Sequence, residues 1–306
     1  MSYKRRWYLL VLTLAAVSSA WAVLGIAVEN SKDKFGGEIR LIVRGDDIGF
    51  CHAANAAFEQ AYKNGILTCA EVMVPGPWFN EAVQILKRNP GLDVGVHLTL
   101  TSEWDLYKWK PVTPASEVPS LVDKDGYFFA RTDANPAYDK YYCGTYGFLQ
   151  ARPKLSEVEK ELRAQIELAL REIPNISHLS CHMGTAEATP ELKALTATLA
   201  EEYKLGIVGH MGVQRSTSLW KIPPEQKEKT VAEILKNLEP GLWEIGCHPG
   251  LDTPEMRAIS TRYDDPNIRM SVHRAAVTKA LTSKKVKEII RKRNIKLISY
   301  RDLKKN

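Results

Sequence analysis

The chain has 306 residues, of which 44% are apolar and 25% are charged, so length and composition exclude disordered and fibrous classes and allow a large buried core. Its formal net charge is +6, and Lys4, Arg5 and Arg6 contribute half of that excess before the first apolar run. The basic run KKVKEIIRKRNIKL from Lys284 has helical spacing with apolar residues on one side, which is typical of a solvated helix face and not of a nucleic-acid-binding patch.

The N-terminal end of the chain has the pattern of a targeting segment rather than of a folded domain. Residues 4–6 form a positively charged region, residues 7–17 an apolar region, and residues 18–22 (SSAWA) a small-residue segment compatible with cleavage after Ala22. The uncharged stretch continues to Val28 and reaches 22 residues, which is also long enough for an uncleaved membrane anchor. The sequence therefore predicts export and leaves cleavage and N-terminal membrane association as alternatives.

The domain organisation follows from this pattern. Residues 1–28 are predicted to be a signal peptide or membrane anchor, residues 29–38 a polar linker, and residues 39–306 one domain in the periplasmic or extracellular space. Within that domain, seven short apolar or β-branched runs predict strands: Ile39–Val43, Leu67–Val74, Leu92–Leu98, His178–Cys181, Leu205–Val208, Leu242–Cys247 and Ile295–Ser299. Helical spacing recurs between them, at Ala54, Phe58, Ala61 and Tyr62 and again at Val158, Leu162, Ile166 and Ala169.

This alternation predicts an α/β fold in which helices cover parallel strands. With about 270 residues in one β/α series, a single TIM-barrel-like β/α barrel of seven or eight strands is favoured over an open doubly wound sheet. One long interruption, from Thr101 to Ser156, is rich in Trp, Tyr, Pro and Lys. We interpret it as a lid or a substrate-facing insertion after the third strand.

The chain contains five cysteines, an odd number for an exported protein. They are Cys51, Cys69, Cys143, Cys181 and Cys247, and no pair has CxxC spacing. Neither a dense disulfide framework nor a zinc ribbon is indicated. The cysteines are predicted to be small buried hydrophobic residues.

Polar residues recur at the carboxyl ends of the predicted strands. Asp46 and Asp47 follow the first strand, His97 ends the third, His182 follows the fourth and His248 follows the sixth. In a β/α barrel these ends converge on the face that carries active sites. Two imidazoles and one carboxylate would suit a divalent cation such as zinc, and the second carboxylate would be free for base chemistry. The alternatives are a solvated acidic turn and histidines with structural roles.

At these residues the chain resembles the YdjC family of carbohydrate deacetylases, which includes the ChbG-type chitooligosaccharide deacetylases and is more distantly related to the NodB polysaccharide deacetylases. The resemblance runs from Ile39 to the C-terminus. It is carried by GDDIG, NGILTCAEVMVPGPWFNEAV, GLDVGVHLTLT, ISHLSCH, CHPG and LISYRDL, in family order and spacing.

The resemblance implies a β/α barrel and metal-dependent hydrolysis of an N-acetyl amide on a chitooligosaccharide-like sugar. Carried over by position, it implies that Asp47, His97 and His182 hold the metal, that Asp46 is the general base and that His248 is a candidate general acid. It points to magnesium, whereas two imidazole ligands favour zinc.

The chain also departs from the family pattern. Arg44 and Gly45 stand where the family usually has Asn-Ala. In place of the common Asp-Ser-His-x-His-x-His run it has Ser180, Cys181, His182, Met183, Gly184, Thr185 and Ala186, so that only the first of those histidines remains. An exported carbohydrate-binding protein without activity is therefore an alternative function. A glycoside hydrolase is disfavoured, because adjacent carboxylates after one strand are poorly placed to flank a glycosidic bond.

Three aromatic residues of the interruption are candidates for contacts with sugar. Trp104, Tyr107 and Trp109 have rings that could stack on a sugar, and packing of the interruption onto its own domain is the alternative.

Overall fold

The computed structural model of the chain describes residues 36–134, 146–259 and 269–303. The predicted targeting segment, most of the predicted linker and Cys143 lie outside these residues. Within the described ranges, no helix is both long and apolar enough to cross a membrane.

Eight parallel strands form one sheet. They are β1 (Ile39–Ile48), β2 (Cys69–Val72), β3 (Asp93–Leu98), β4 (Ile176–Cys181), β5 (Gly206–Ile207), β6 (Gln214–Arg215), β7 (Gly241–Cys247) and β8 (Lys296–Leu297). Seven of them follow the order β5-β4-β3-β2-β1-β7-β6, and β8 pairs with the start of β1. The sheet curls into a half-barrel, and in the described part of the chain no ladder joins β5 to β6.

All seven predicted strand segments contain a strand, and the α/β class with parallel strands is confirmed. The sequence analysis missed β6, because Gln214 and Arg215 are exposed and carry no apolar signal.

Helices cover the sheet. They are α1 (His52–Asn64), α2 (Phe79–Arg88), α3 (Leu155–Glu172), α4 (Pro190–Glu202), α5 (Lys227–Asn237), α6 (Pro254–Ala258), α7 (Met270–Thr282), α8 (Lys284–Lys292) and α9 (Tyr300–Leu303). The predicted apolar stripe of α3 is buried at all four positions. The basic run from Lys284 is the solvated helix that its spacing predicts, with Val286 and Ile290 of α8 buried.

The connection between β3 and α3 contains two 3-10 turns, Ala115–Glu117 and Pro119–Leu121, in its described part. Buried carboxylates of α3 hold it in place. Glu161 accepts from the backbone N–H groups of Val112 and Thr113, and Glu157 accepts from Ser120. That this connection is an insertion stays a prediction.

Strand β1 carries the two adjacent aspartates, and here the structure corrects the sequence analysis. Asp46 and Asp47 do not follow the strand but lie within its last residues. The pairing of β1 with β2 shifts register between Asp46 and Ile48, so Asp47 is a bulged residue. Its φ of 80° lies in the left-handed region, which is costly for a residue with a side chain.

Gly45 provides a test of how tightly β1 packs. A Cβ at this position would lie 2.6 Å from Cε1 of Phe58 and 3.1 Å from Cδ1 of Leu67. Because Phe58 is fully buried in α1, we expect Gly45→Ala to lower the free energy of unfolding by about 1–3 kcal/mol, measured by urea denaturation. Phe58→Leu makes room for the new methyl group, so it should cost less in the Gly45→Ala protein than in the wild type. Equal costs in the two backgrounds would contradict the packing argument.

Candidate metal centre

Three of the predicted ligands meet at the carboxyl ends of β1, β3 and β4. Oδ1 of Asp47 lies 3.4 Å from Nε2 of His97 and 3.3 Å from Nδ1 of His182. All three residues are buried, and their ligand atoms lie within 4.8 Å of one another. This arrangement differs from a solvated acidic turn, because all three residues are buried and their side chains lie close together.

The hydrogen bonds on the far sides of the two rings explain why these atoms face one another. Nε2 of His182 lies 3.1 Å from a carboxylate oxygen of Glu103, which can only accept, so this nitrogen carries the proton. Nδ1 of His97 lies 2.7 Å from Oγ of Ser180 and is the donor there, because the Ser180 hydroxyl proton goes to Glu71. These contacts leave Nδ1 of His182 and Nε2 of His97 as the ring nitrogens that would bind a cation beside Asp47. Without a cation, burial lowers the pKa of His182, but Glu103 and Asp47 outweigh it and raise that pKa to about 10, so this ring then carries a second proton.

This arrangement brings three potential metal-ligand atoms together. Oδ1 of Asp47 is buried and has no hydrogen-bond partner among the described residues. A cation satisfies all three atoms at once, and one carboxylate with two neutral imidazoles is a common ligand set for divalent metals. The residues present therefore fit a metal ion.

The second oxygen of Asp47 is held by a buried arginine. Nη2 of Arg274, in α7, donates to Oδ2 of Asp47 at 2.7 Å, and both side chains are 4% exposed. Burial alone would raise the pKa of Asp47, but Arg274, His182 and His97 hold it well below its usual range. Asp47 is therefore ionised.

Asp46 is in a different environment. Its Oδ2 lies 3.2 Å from Nη2 of Arg44, while its buried Oδ1 has no hydrogen-bond partner among the described residues. Burial is the main cause that raises the pKa of Asp46 to about 6, against the lowering effect of Arg44 and His97. Asp46 lines the same cleft as the three predicted ligands.

His248 follows β7 directly and lies at the same end of the sheet. Its Nε2 is 4.0 Å from Oδ2 of Asp47, and its side chain is 35% exposed. Partial burial, together with the positive charges of Arg274 and Arg44, lowers the pKa of His248. The ring of Trp220 lies 6.0 Å from the His248 ring, centre to centre.

The cleft has a volume of about 270 Å³. It is lined by all five predicted site residues and by Glu103, Trp104, Cys181, Met183, Gly184, Trp220 and Arg274.

The three candidate stacking residues differ in position. Trp104 lines the cleft although only 6% of its surface is exposed. Trp109 is buried, donates from Nε1 to the carbonyl of Thr101 and packs edge-on against His182, so it supports the site from behind. Tyr107 donates to the carbonyl of Phe50. For Trp109, packing within the domain is the correct alternative.

The cysteines are largely as predicted. Cys51, Cys69 and Cys247 are buried and free, and Cys181 is partly buried at the cleft. Cys51 has an additional role, because its sulfur caps α1 by accepting from the N–H of Ala54.

Sequence reasoning missed three functional candidates. Glu103 lies five residues beyond the end of β3, and an acidic residue so close to a strand end was a usable signal. Arg274 lies inside a helix, and Trp220 lies in the segment before α5, where no local pattern distinguishes either from a surface residue.

A model of the YdjC-like protein family matches residues 40–292. The chain belongs to the YdjC-like family. The resemblance read from its motifs is thereby confirmed.

Relatives of this YdjC-like chain include two carbohydrate deacetylases. That of Thermus thermophilus is 32% identical over 249 residues, which cover 73% of this chain and 82% of the relative. That of Enterococcus faecalis is 28% identical over 284 residues, which cover 86% of this chain and 98% of the relative. A solved structure of a candidate cellobiose-phosphate cleavage protein from Enterococcus faecalis matches with a TM-score of 0.68 and 25% identity, covering 87% of this chain and 99% of that one.

The contact between Arg274 and Asp47 can be tested by stability. Arg274→Met keeps much of the side-chain volume but leaves the buried Asp47 charge without its arginine. In the presence of a chelator, we expect the free energy of unfolding to fall by about 3–5 kcal/mol, as measured by urea denaturation. Arg257→Met is the matched control, because Arg257 makes a similar two-point contact with Asp252 at the surface and its loss should have little effect. Equal losses in the two variants would contradict the electrostatic role of Arg274.

Proposed function

We propose that the protein is a metal-dependent deacetylase that removes N-acetyl groups from an N-acetylated, chitooligosaccharide-like carbohydrate. The observation that carries this proposal is the meeting of Asp47 Oδ1, His97 Nε2 and His182 Nδ1, three buried potential ligand atoms within 4.8 Å of one another. The carbohydrate deacetylases among the relatives support the reaction class.

The metal is zinc or magnesium. Two imidazole ligands favour zinc by ligand preference, whereas the family resemblance points to magnesium.

The protein's own groups would carry the proton transfers. When bound, the metal would polarise the acetyl carbonyl and the attacking water and stabilise negative charge on the oxygen. Asp46 accepts a proton from the water through Oδ1, the oxygen that Arg44 does not occupy. The new C–O bond forms as the water attacks, and the C–N bond then breaks. The lowered pKa of His248 keeps its imidazole neutral in the free protein, so the proton that Asp46 has taken would reach the departing nitrogen through His248, the candidate general acid, which gives acetate and a free amine.

The walls of the cleft suggest how a sugar is held. Trp104 and Trp220 present aromatic surface beside the predicted metal ligands, and Gly184 lines the cleft where the family commonly has a further histidine. Arg274 and Glu103 are already paired with metal-ligand residues. Substrate recognition by this chain would therefore depend more on apolar contact than in relatives with the full histidine run.

Paired substitutions of the two aspartates test the proposal. Asp46→Asn should retain the metal but lower the rate of acetate release by about two to four orders of magnitude, because it removes the base and leaves the ligands. Asp47→Asn should weaken metal binding itself, as should His97→Ala. The measurements are metal content by elemental analysis and acetate release from a panel of N-acetylated oligosaccharides, with and without chelator.

The controls distinguish the alternatives. His52→Ala, at an exposed histidine, should change neither readout. Loss of metal from Asp46→Asn together with full activity of Asp47→Asn would reverse the assigned roles. Sugar binding without acetate release from any substrate would support the alternative of an inactive carbohydrate-binding protein.

We also propose that the domain acts outside the cytoplasm, either released after cleavage near Ala22 or tethered through residues 7–28. The charged, apolar and small-residue regions at the N-terminus support this location. Fractionation of cells that express the full chain should find the domain in the exported or membrane fraction. Deletion of residues 1–28 should move it to the cytosol, and full-length protein free in the cytosol would contradict both versions.

A further inference from the structure

A buried chain of polar side chains lies behind His97, on the side away from the cleft. Nδ1 of His97 lies 2.7 Å from Oγ of Ser180, and Ser180 donates to Oε2 of Glu71 at 2.5 Å. The other oxygen of Glu71 lies 2.7 Å from Nε2 of His178. Glu71 and His178 are 0% exposed, and Ser180 is 2% exposed. The chain of contacts therefore links β3, β4 and β2 directly beneath a predicted metal ligand.

The sheet is built to accommodate these side chains. Gly95 lies in β3 between β2 and β4, opposite Glu71 on one side and His178 on the other. A Cβ at Gly95 would lie 2.3 Å from Oε2 of Glu71 and 2.4 Å from Nε2 of His178. Any larger residue would displace both groups.

A second metal site does not explain this cluster. The ligand atoms of Cys69, Glu71 and His178 lie close enough together to be considered for one. However, the 2.7 Å separation of Glu71 and His178 is a hydrogen bond, and Cys69 contacts both groups through its sulfur at 3.3 and 3.4 Å. The cluster is already occupied by its own hydrogen bonds.

The charge on Glu71 sets the direction of the hydrogen bonds. Burial alone would raise the pKa of Glu71, but His178, Arg44 and the hydrogen bond from Ser180 lower it to about 2, so Glu71 is an ionised acceptor. The Ser180 hydroxyl has one proton, and Glu71 takes it. Ser180 must then accept from His97, which places the imidazole proton on Nδ1 and leaves Nε2 free to bind a cation.

We infer that Glu71, acting through Ser180, is a positioning residue that fixes the tautomer and orientation of His97 for metal binding. This inference rests on the proposed metal-dependent function. In this chain the carboxylate behind His97 comes from β2 and acts through the hydroxyl of Ser180, which stands where the family's common run has Asp.

The experiment measures Zn²⁺ binding to chelator-treated protein by calorimetry, with the tautomer of His97 followed through its imidazole ¹⁵N resonances in the metal-free state. We expect Ser180→Ala to weaken zinc binding about 10- to 100-fold and to move His97 away from the Nδ1–H form. Glu71→Leu frees the Ser180 proton to point at His97 and should produce the same two changes. The double variant should bind zinc no more weakly than the weaker single variant, because both substitutions break one relay.

Cys69→Ala is the matched control, because it removes a buried neighbour of Glu71 that does not contact Ser180 or His97. It should leave zinc affinity within about twofold of the wild type and the His97 tautomer unchanged. Thermal unfolding identifies the folded variants, and Ser180→Ala, which removes a single hydroxyl, provides the test even where Glu71→Leu does not fold.

The outcomes separate the inference from the function on which it rests. Wild-type zinc affinity and an unchanged tautomer in Ser180→Ala would overturn the positioning role. The same result in a folded Glu71→Leu protein would overturn the part assigned to Glu71. Failure of the wild type to bind zinc, magnesium or another divalent cation would instead overturn the proposed metal-dependent function.

Discussion

The buried charge of Asp47 is the constraint on which the site depends. A carboxylate removed from water is costly unless positive charge and hydrogen bonds compensate for it. Arg274 compensates at Oδ2, while Oδ1 faces the rings of His97 and His182. The bulge in β1 turns Asp47 into this position at the cost of a left-handed backbone. The electrostatics and the backbone geometry thus both concentrate on Asp47, and the residues around it fit the proposed cation.

Beneath the predicted ligands lies a second layer of buried charge. Nη2 of Arg44 lies 3.2 Å from Asp46 and 3.4 Å from Glu244, and Glu244 accepts a hydrogen bond from Tyr300. Arg44 stands where the family pattern usually has a neutral asparagine, and Glu71 contributes a negative charge nearby. The additional positive charge therefore stands among three carboxylates.

The parts of the structure that were predictable are those with a local signal. Apolar runs predicted the strands, and helical spacing predicted α1 and α3. Polar residues at strand ends predicted the metal ligands, because parallel strands bring their carboxyl ends to one edge. Arg274 could not be assigned to the site in this way, since it lies inside a helix and reaches the site through tertiary packing, whereas Glu103 lies close enough to the end of β3 to have been a candidate. The bulge at Asp47 could not be predicted from the sequence either. Adjacent aspartates read as a turn, and only the pairing with β2 shows that the strand continues through them.

Strand β1 pairs with three other strands, and its partners are far apart in the sequence. Residues 39–45 pair with residues 241–247, and Arg40 and Leu41 pair with Lys296 and Leu297 near the C-terminus. Ribosomal synthesis begins at the N-terminus, so the hydrogen bonds of β1 cannot all form until almost the entire chain has been made. Such non-local pairing gives a high contact order and slow folding. The strand that carries both aspartates is thus among the first to be made and among the last to have its hydrogen bonds completed.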